Sequence, residues 1–234
     1  MDRITRKELK QDRFALEVGH TLDFLGEHRA QAIRYGAIAL VVVLLVGGFF
    51  AWRRHQARTR QEALSAALEI QSAPVGPSQE GIRSYPTAEA KDKALTAAFA
   101  DLAARYPGTN EGVIAQYYLG AIAVNKGDLA QAEKQFRAAS EAGSGNYEAL
   151  ASRALADVYA AEGKTADAEK ILRNMMEHPT AFVSKNDAQL ALARVLIRSN
   201  PAEARKLLQS LQSATGAVSE AASETLAELN TGAK

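Results

Sequence analysis

The sequence predicts an all-α protein: one helix able to cross a bilayer, followed by an α-solenoid of three to four repeated helix pairs. Three observations carry this. Tyr35 to Trp52, "YGAIALVVVLLVGGFFAW", holds eighteen residues without a charge. Beyond residue 60 the composition turns to alanine, leucine, glutamate and glutamine with few aromatics, which favours helix. That second part repeats itself at intervals of 36 and 37 residues.

The elements divide the chain into five parts: a helical tail over 1–34, a transmembrane helix over 35–52, a helix extension and Pro/Gly loop over 53–87, repeats over 88–214, and a capping helix with a short tail over 215–234. In the tail, Thr5 and Glu8 fit a capping box, each side chain satisfying the other residue's free amide. Phe14, Val18, Leu22 and Leu25 recur at spacings of four, four and three and form one apolar stripe. Such a stripe packs on its own protein or the membrane surface, or binds a partner; the sequence leaves both open.

The apolar run spans roughly 27 Å at 1.5 Å per residue, close to the hydrocarbon core of a bilayer. A core helix would keep a polar face, and this run has none. Thirty-four residues precede it, and Trp52-Arg53-Arg54 stands where a signal peptide would carry its cleavage site. The expectation is a retained single-pass anchor touching lipid through 35–52. Arg34, Arg53 and Arg54 would snorkel at its ends, and Tyr35 and Trp52 would sit at the interfaces. Two pairs of small residues, Ala32/Gly36 and Gly47/Ala51, could let a second helix approach closely. Charge does not fix orientation. Near the membrane, Arg29 and Arg34 face Arg53, Arg54, Arg58 and Arg60; adding Arg3, Arg6, Lys7, Lys10 and Arg13 reverses the balance.

"SAPVGPSQEGIRSYP" (Ser72 to Pro86) breaks the helix with three prolines and two glycines. The repeats follow. Leu119-Gly120 precedes Ala123, Gly127, Ala132, Phe136 and Ala139; Leu155-Ala156 precedes Tyr159, Gly163, Ala168, Leu172 and Met175; Leu192-Ala193 precedes Leu196, Asn200, Ala204, Leu208 and Leu211. The third copy is one residue shorter in its turn. This is the tetratricopeptide signature. Small residues at Gly120, Ala132 and Ala156 permit close helix approach, Phe136 and Leu172 fill the space between pairs, and Gly127 and Gly163 permit a left-handed turn. "LTAAFADLAARYPGT" (Leu95 to Thr109) reads as the second helix of a further copy, with Arg60 to Ile70 as its first. Ala217 to Leu229 suits a closing helix.

Projected onto the concave side, the pattern offers a protein-binding groove of Tyr117, Ala121 and Asn125 from repeat one, Arg153, Asp157 and Ala161 from repeat two, and Asp187, Leu190, Arg194 and Arg198 from repeat three. Tyr117 could anchor a partner and the arginines could hold carboxylates or peptide backbone. Gly36, Gly47 and Ala51 are the candidates for membrane-helix packing.

Other chemistry finds little support. A net charge of +1 gives no reason to expect nucleic acid. No cysteine is present, so disulfides, thiol catalysis, cysteine metal sites and an acylated cysteine anchor are excluded. "GKT" at Gly163-Lys164-Thr165 has Val158 where a phosphate-binding loop needs glycine, and "GSGN" (Gly143 to Asn146) reads as an inter-repeat turn. His20, His28, His55 and His178 are scattered, and no serine sits in a nucleophile elbow. The sequence therefore predicts no enzyme, no catalytic residue, no cofactor, no metal and no small-molecule substrate.

The anchor's position and the stretches "NEGVIAQYYLGAIAVNKGDLAQAEKQFRAA" and "YEALASRALADVYAAEGKTADAEKIL" resemble the YfgM-like family, an ancillary subunit of the bacterial SecYEG translocon. The resemblance implies a bacterial inner-membrane protein with a cytoplasmic N-terminus and periplasmic repeats. Its partners would be the translocon and a membrane-anchored periplasmic chaperone. The basic tail "DRITRKELKQDRFALEVGHTLDFL" is longer than that family leads one to expect. Ile114 and Tyr118 stand near the places where chaperone-tail-binding repeats carry polar clamp residues. A scaffold for envelope assembly or cell division is the alternative.

Overall fold

The computed structural model describes residues 29–77, 83–142 and 146–231. The capping box at Thr5 and Glu8, the stripe from Phe14 to Leu25, His20, His28 and the glycines of "GSGN" lie outside them. The described residues form α-helices, with one isolated bridge between Val75 and Tyr85.

Helix α1 runs unbroken from Arg29 to Ser72. It is the one helix among the described residues long and apolar enough to cross a membrane. The chain divides into a unit ending at Arg58 and a unit beginning at Thr59. In the first, Ile38, Leu45 and Phe50 are exposed, and no helix face collects the apolar side chains.

The second unit starts with the last turns of α1. Ala67 and Ile70 are buried there against Leu95, Phe99 and Leu102 of α2 (Ala88–Arg105) and Ala115 of α3 (Asn110–Asn125), with Ala63 and Leu64 alongside. The Arg60 Nε–H donates to Glu111 Oε2 at 3.1 Å, holding the start of this segment to the first turn of α3. The expected pairing of Arg60–Ile70 with the "LTAAFADLAARYPGT" helix is thus present. Gly76 N donates to the Tyr85 carbonyl at 2.8 Å, and Lys91 Nζ donates to the Ala73 carbonyl at 2.7 Å, closing the connection at its base.

Three helix pairs follow: α3 with α4 (Leu129–Glu141), α5 (Asn146–Ala161) with α6 (Thr165–Glu177), and α7 (Lys185–Leu196) with α8 (Pro201–Leu211). The starts follow from capping. Thr109, Asp128 and Asn200 each accept an amide hydrogen from three residues on, and Ser184 and Asp187 form a reciprocal box. Inside the pairs, Ala132, Ala156, Ala168, Leu172, Leu192, Ala204 and Leu208 are fully buried. A methyl group on Gly120 would lie 2.6 Å from the Phe136 ring, so the close approach there requires glycine.

Gly127 and Gly163 take φ of +75° and +76° in the first two turns. The shorter third turn works differently. Asn200 is itself the N-cap, with φ −146°, and Pro201 opens α8. No left-handed residue is needed, which accounts for the missing residue.

Helix α9 (Ala217–Thr231) closes the array: Ala222 and Leu226 bury against Leu190, Ala193, Leu208 and Leu211. From α2 onward each helix packs only on the next one or the one after it. Ion pairs tie neighbouring second helices together. Glu133 of α4 accepts from Lys164 at 2.8 Å, and Arg173 of α6 reaches Glu203 of α8 at 2.7 Å.

Candidate protein-binding cleft

The first helices of pairs one and two lie side by side and enclose a cleft of about 250 Å³. Helix α3 lines it with Ala121, Val124 and Asn125, and α5 with Ala154, Asp157, Val158 and Ala161. These spacings of three and four put each set on one helix face. Leu129 and Phe136 of α4 form the floor. Phe136 is held there because Gly120 leaves room for its ring.

The lining is apolar with two polar groups at the rim. Asn125 and Asp157 are both exposed, and Val124 is 42% exposed. The Asp157 carboxylate pairs with Arg153 one turn earlier on α5. An apolar floor with few oriented polar groups suits burial of a partner's aliphatic side chain, and the rim suits hydrogen bonds to its backbone.

Beside the cleft runs a row of aromatic rings. Phe99 stacks on Tyr118 at 4.8 Å between centroids; Tyr118 meets Tyr147 at 6.4 Å, and Tyr147 meets Phe182 at 6.3 Å. Tyr117 joins the row to the cleft floor, with centroids 5.5 Å from Tyr147 and 5.7 Å from Phe136. Burial pushes the Tyr118 phenol above its ordinary value, and Tyr147 adds to the shift. Phe182 is half exposed, so the row ends at solvent.

The sequence pattern singled out Ala121, Asn125, Asp157 and Ala161, and all four line this cleft. Tyr117 borders it, and Arg153 is its ion-pair neighbour. The residues of pair three do not join them. Leu190 is only 8% exposed and packs among Leu208, Leu211 and Leu226, so it belongs to the core and not to an open groove; α9 covers that side. Asp187 is engaged by Ser184 at the start of α7. Arg194 Nε lies 3.4 Å from Thr225 Oγ1 on α9, and Arg198 is exposed beyond the end of α7. Tyr147 and Phe182 escaped the pattern because neither falls on the repeat register. The signal that could have found them is the scarcity of aromatic residues, 6% of the chain.

Lys164, in the "GKT" stretch, donates to Glu133 and approaches Glu162, both at 2.8 Å. Its ammonium also lies 5.3 Å from the centre of the Tyr159 ring. Those hydrogen bonds raise its pKa, so it serves as a cationic tie between pairs one and two. Among the described residues no group of three or more His, Asp or Glu side chains is arranged to hold a metal ion. Gly36, Gly47 and Ala51 fall on one face of α1, since 11 residues make close to three turns. A methyl group at Gly36 or Gly47 would meet no atom within 4 Å.

The family described as a tetratricopeptide repeat-like domain matches residues 33–188, two thirds of the 234. The matched stretch begins two residues before the apolar run of α1 and ends within α7. No curated protein and no solved structure matches the chain.

Proposed function

The chain belongs to the tetratricopeptide repeat-like domain family, and we propose that it is a non-enzymatic, membrane-anchored adaptor whose repeats bind proteins. The observation that carries the reading is the cleft between α3 and α5, where an apolar floor meets Asn125 and Asp157 next to a row of aromatic rings. Such a surface takes a protein segment, with ring faces and an apolar slot for side chains and polar rim groups for backbone. The membrane reading is supported by the apolar part of α1, which is exposed on all sides, and by a family match that includes the whole run 35–52.

In the finer reading, the anchor lies in a bacterial inner membrane, the N-terminus is cytoplasmic and the repeats are periplasmic. There they assist the SecYEG translocon and a periplasmic chaperone with exported chains. This part rests on the resemblance of the repeats and anchor to the YfgM-like family.

One experiment tests both levels. A reporter active only outside the cytoplasm is fused after Lys234, and a photocrosslinking residue replaces Ala121 or Ala161 in the full chain. The expected result is an external signal together with crosslinks to translocon or chaperone subunits. A cytoplasmic signal would overturn the translocon reading. An external signal with crosslinks confined to division or cell-wall proteins would favour an envelope scaffold instead.

A further inference from the structure

At the C-terminal end of the apolar run, Gly47, Ala51, Arg54 and Arg58 follow one another at spacings of four, three and four. At 100° per residue all four fall within about 60° of helix circumference. They line a shallow groove together with Phe50 and His55. Gly47 and Ala51 leave the backbone bare, and nothing lies within 4 Å of a methyl group built on Gly47. Phe50, 59% exposed, walls one side. Arg54 and Arg58 stand one turn apart, about 6 Å along the axis, and both are exposed. From Arg29 through Gln61 the sequence contains no carboxylate, so this stretch supplies cations without any internal counter-charge.

We propose that this face of α1 binds one anionic phospholipid, with an acyl chain against Gly47, Phe50 and Ala51 and the headgroup phosphate held by Arg54 and Arg58. The inference rests on the membrane-anchor reading. Charge complementarity selects the occupant. A guanidinium fork matches a phosphodiester in bidentate fashion, and two of them one turn apart converge on a single phosphate. A partner helix would have to carry an acidic group at the depth of Trp52, whereas a lipid brings its phosphate to that depth by construction. Both lipid classes carry a phosphodiester, but the choline cation of a zwitterionic lipid offsets it, whereas a lipid of net negative charge gains about fivefold in affinity for each juxtamembrane arginine. The expected preference for anionic over zwitterionic lipid is therefore on the order of twentyfold.

Trp52 is the chain's only tryptophan; it lies at the depth of this groove but about 130° round the helix from it, so its fluorescence reports which lipids surround α1 there, and the variants decide which face selects them. The full chain is reconstituted in phosphatidylcholine vesicles. Quenching of Trp52 is then titrated with brominated phosphatidylglycerol and, separately, with brominated phosphatidylcholine. The proposal expects much stronger quenching by the anionic lipid. That preference should vanish in Arg54→Gln/Arg58→Gln, fall in Gly47→Leu/Ala51→Leu, and persist in Arg53→Gln, which removes a charge from another face. Equal quenching by the two lipids would overturn the proposal while leaving the anchor reading intact. So would a preference that follows total charge and ignores which arginine is removed. Absence of quenching by either lipid would overturn the anchor reading itself. Energy transfer between labelled copies that disappears in Gly47→Leu/Ala51→Leu, with lipid preference unchanged, would make the face a helix–helix contact and also overturn the proposal.

Discussion

Residues 33–52 and residues 59–72 belong to the same helix, yet they obey different rules. In the first stretch Ile33, Leu45 and Trp52 are 60–68% exposed. In the second, Ala67 is 1% and Ile70 6% exposed, and they face α2 and α3. Backbone hydrogen bonding is the same in both. What differs is the periodicity of the apolar side chains. An all-round apolar stretch has no preferred face and suits a hydrocarbon solvent; an amphipathic stretch selects one protein partner. A single helix is therefore apolar enough to cross a membrane at one end and packs on α2 and α3 at the other.

The sharpest way to break this comparison is one charge at each end. Ala67→Arg puts a cation into a buried position beside Leu95 and Phe99. It should cost several kcal/mol of repeat stability, read as a lower denaturant midpoint, while membrane retention is unchanged. Leu44→Arg should do the reverse. It costs about 2.5–3.5 kcal/mol of insertion free energy and should increase the fraction extracted by alkaline carbonate, with the repeat unfolding midpoint held.

Two glycines sharpen it further. Gly120→Val drives a side chain into the Phe136 ring and should destabilise the repeats by about 1–3 kcal/mol. Gly47→Val meets open space and should leave that transition where it is. Both are read in denaturant unfolding followed by far-ultraviolet circular dichroism.

The smallest effect concerns pH. The Lys164 ammonium hydrogen-bonded to Glu133 holds that carboxyl below its ordinary 4.5. A lowered folded-state value means a contribution present above the ordinary value and lost as pH falls through the folded one. Thermal midpoints of the native chain should therefore fall more steeply below pH 4.5 than those of Glu133→Gln, with the two curves parallel at neutral pH.

Much of this architecture was legible because repeats state the same instruction several times. Gly120, Ala132, Phe136 and their counterparts were assigned to close contacts by spacing alone, and they occupy them. The spacing also showed Asn200 replacing glycine in a shorter turn, although only the backbone showed that it caps the next helix directly. The candidate site was half legible. Ala121, Asn125, Asp157 and Ala161 follow from helical phase, which is a local property. Leu190 did not, because its burial depends on where α9 docks, and docking is a tertiary matter. Tyr147 and Phe182 meet through helix-start and loop geometry that no repeat register encodes.

Because each helix from α2 onward touches only its next or next-but-one neighbour, the contacts are short in sequence. Chains built this way have low contact order, and their order can start at any pair and spread along the array like a zipper. Helix α1 supplies the packing surface for α2 and is the first part of the array to be synthesised. The array can thus assemble in the order in which it emerges, pair by pair, with α9 closing the last exposed face.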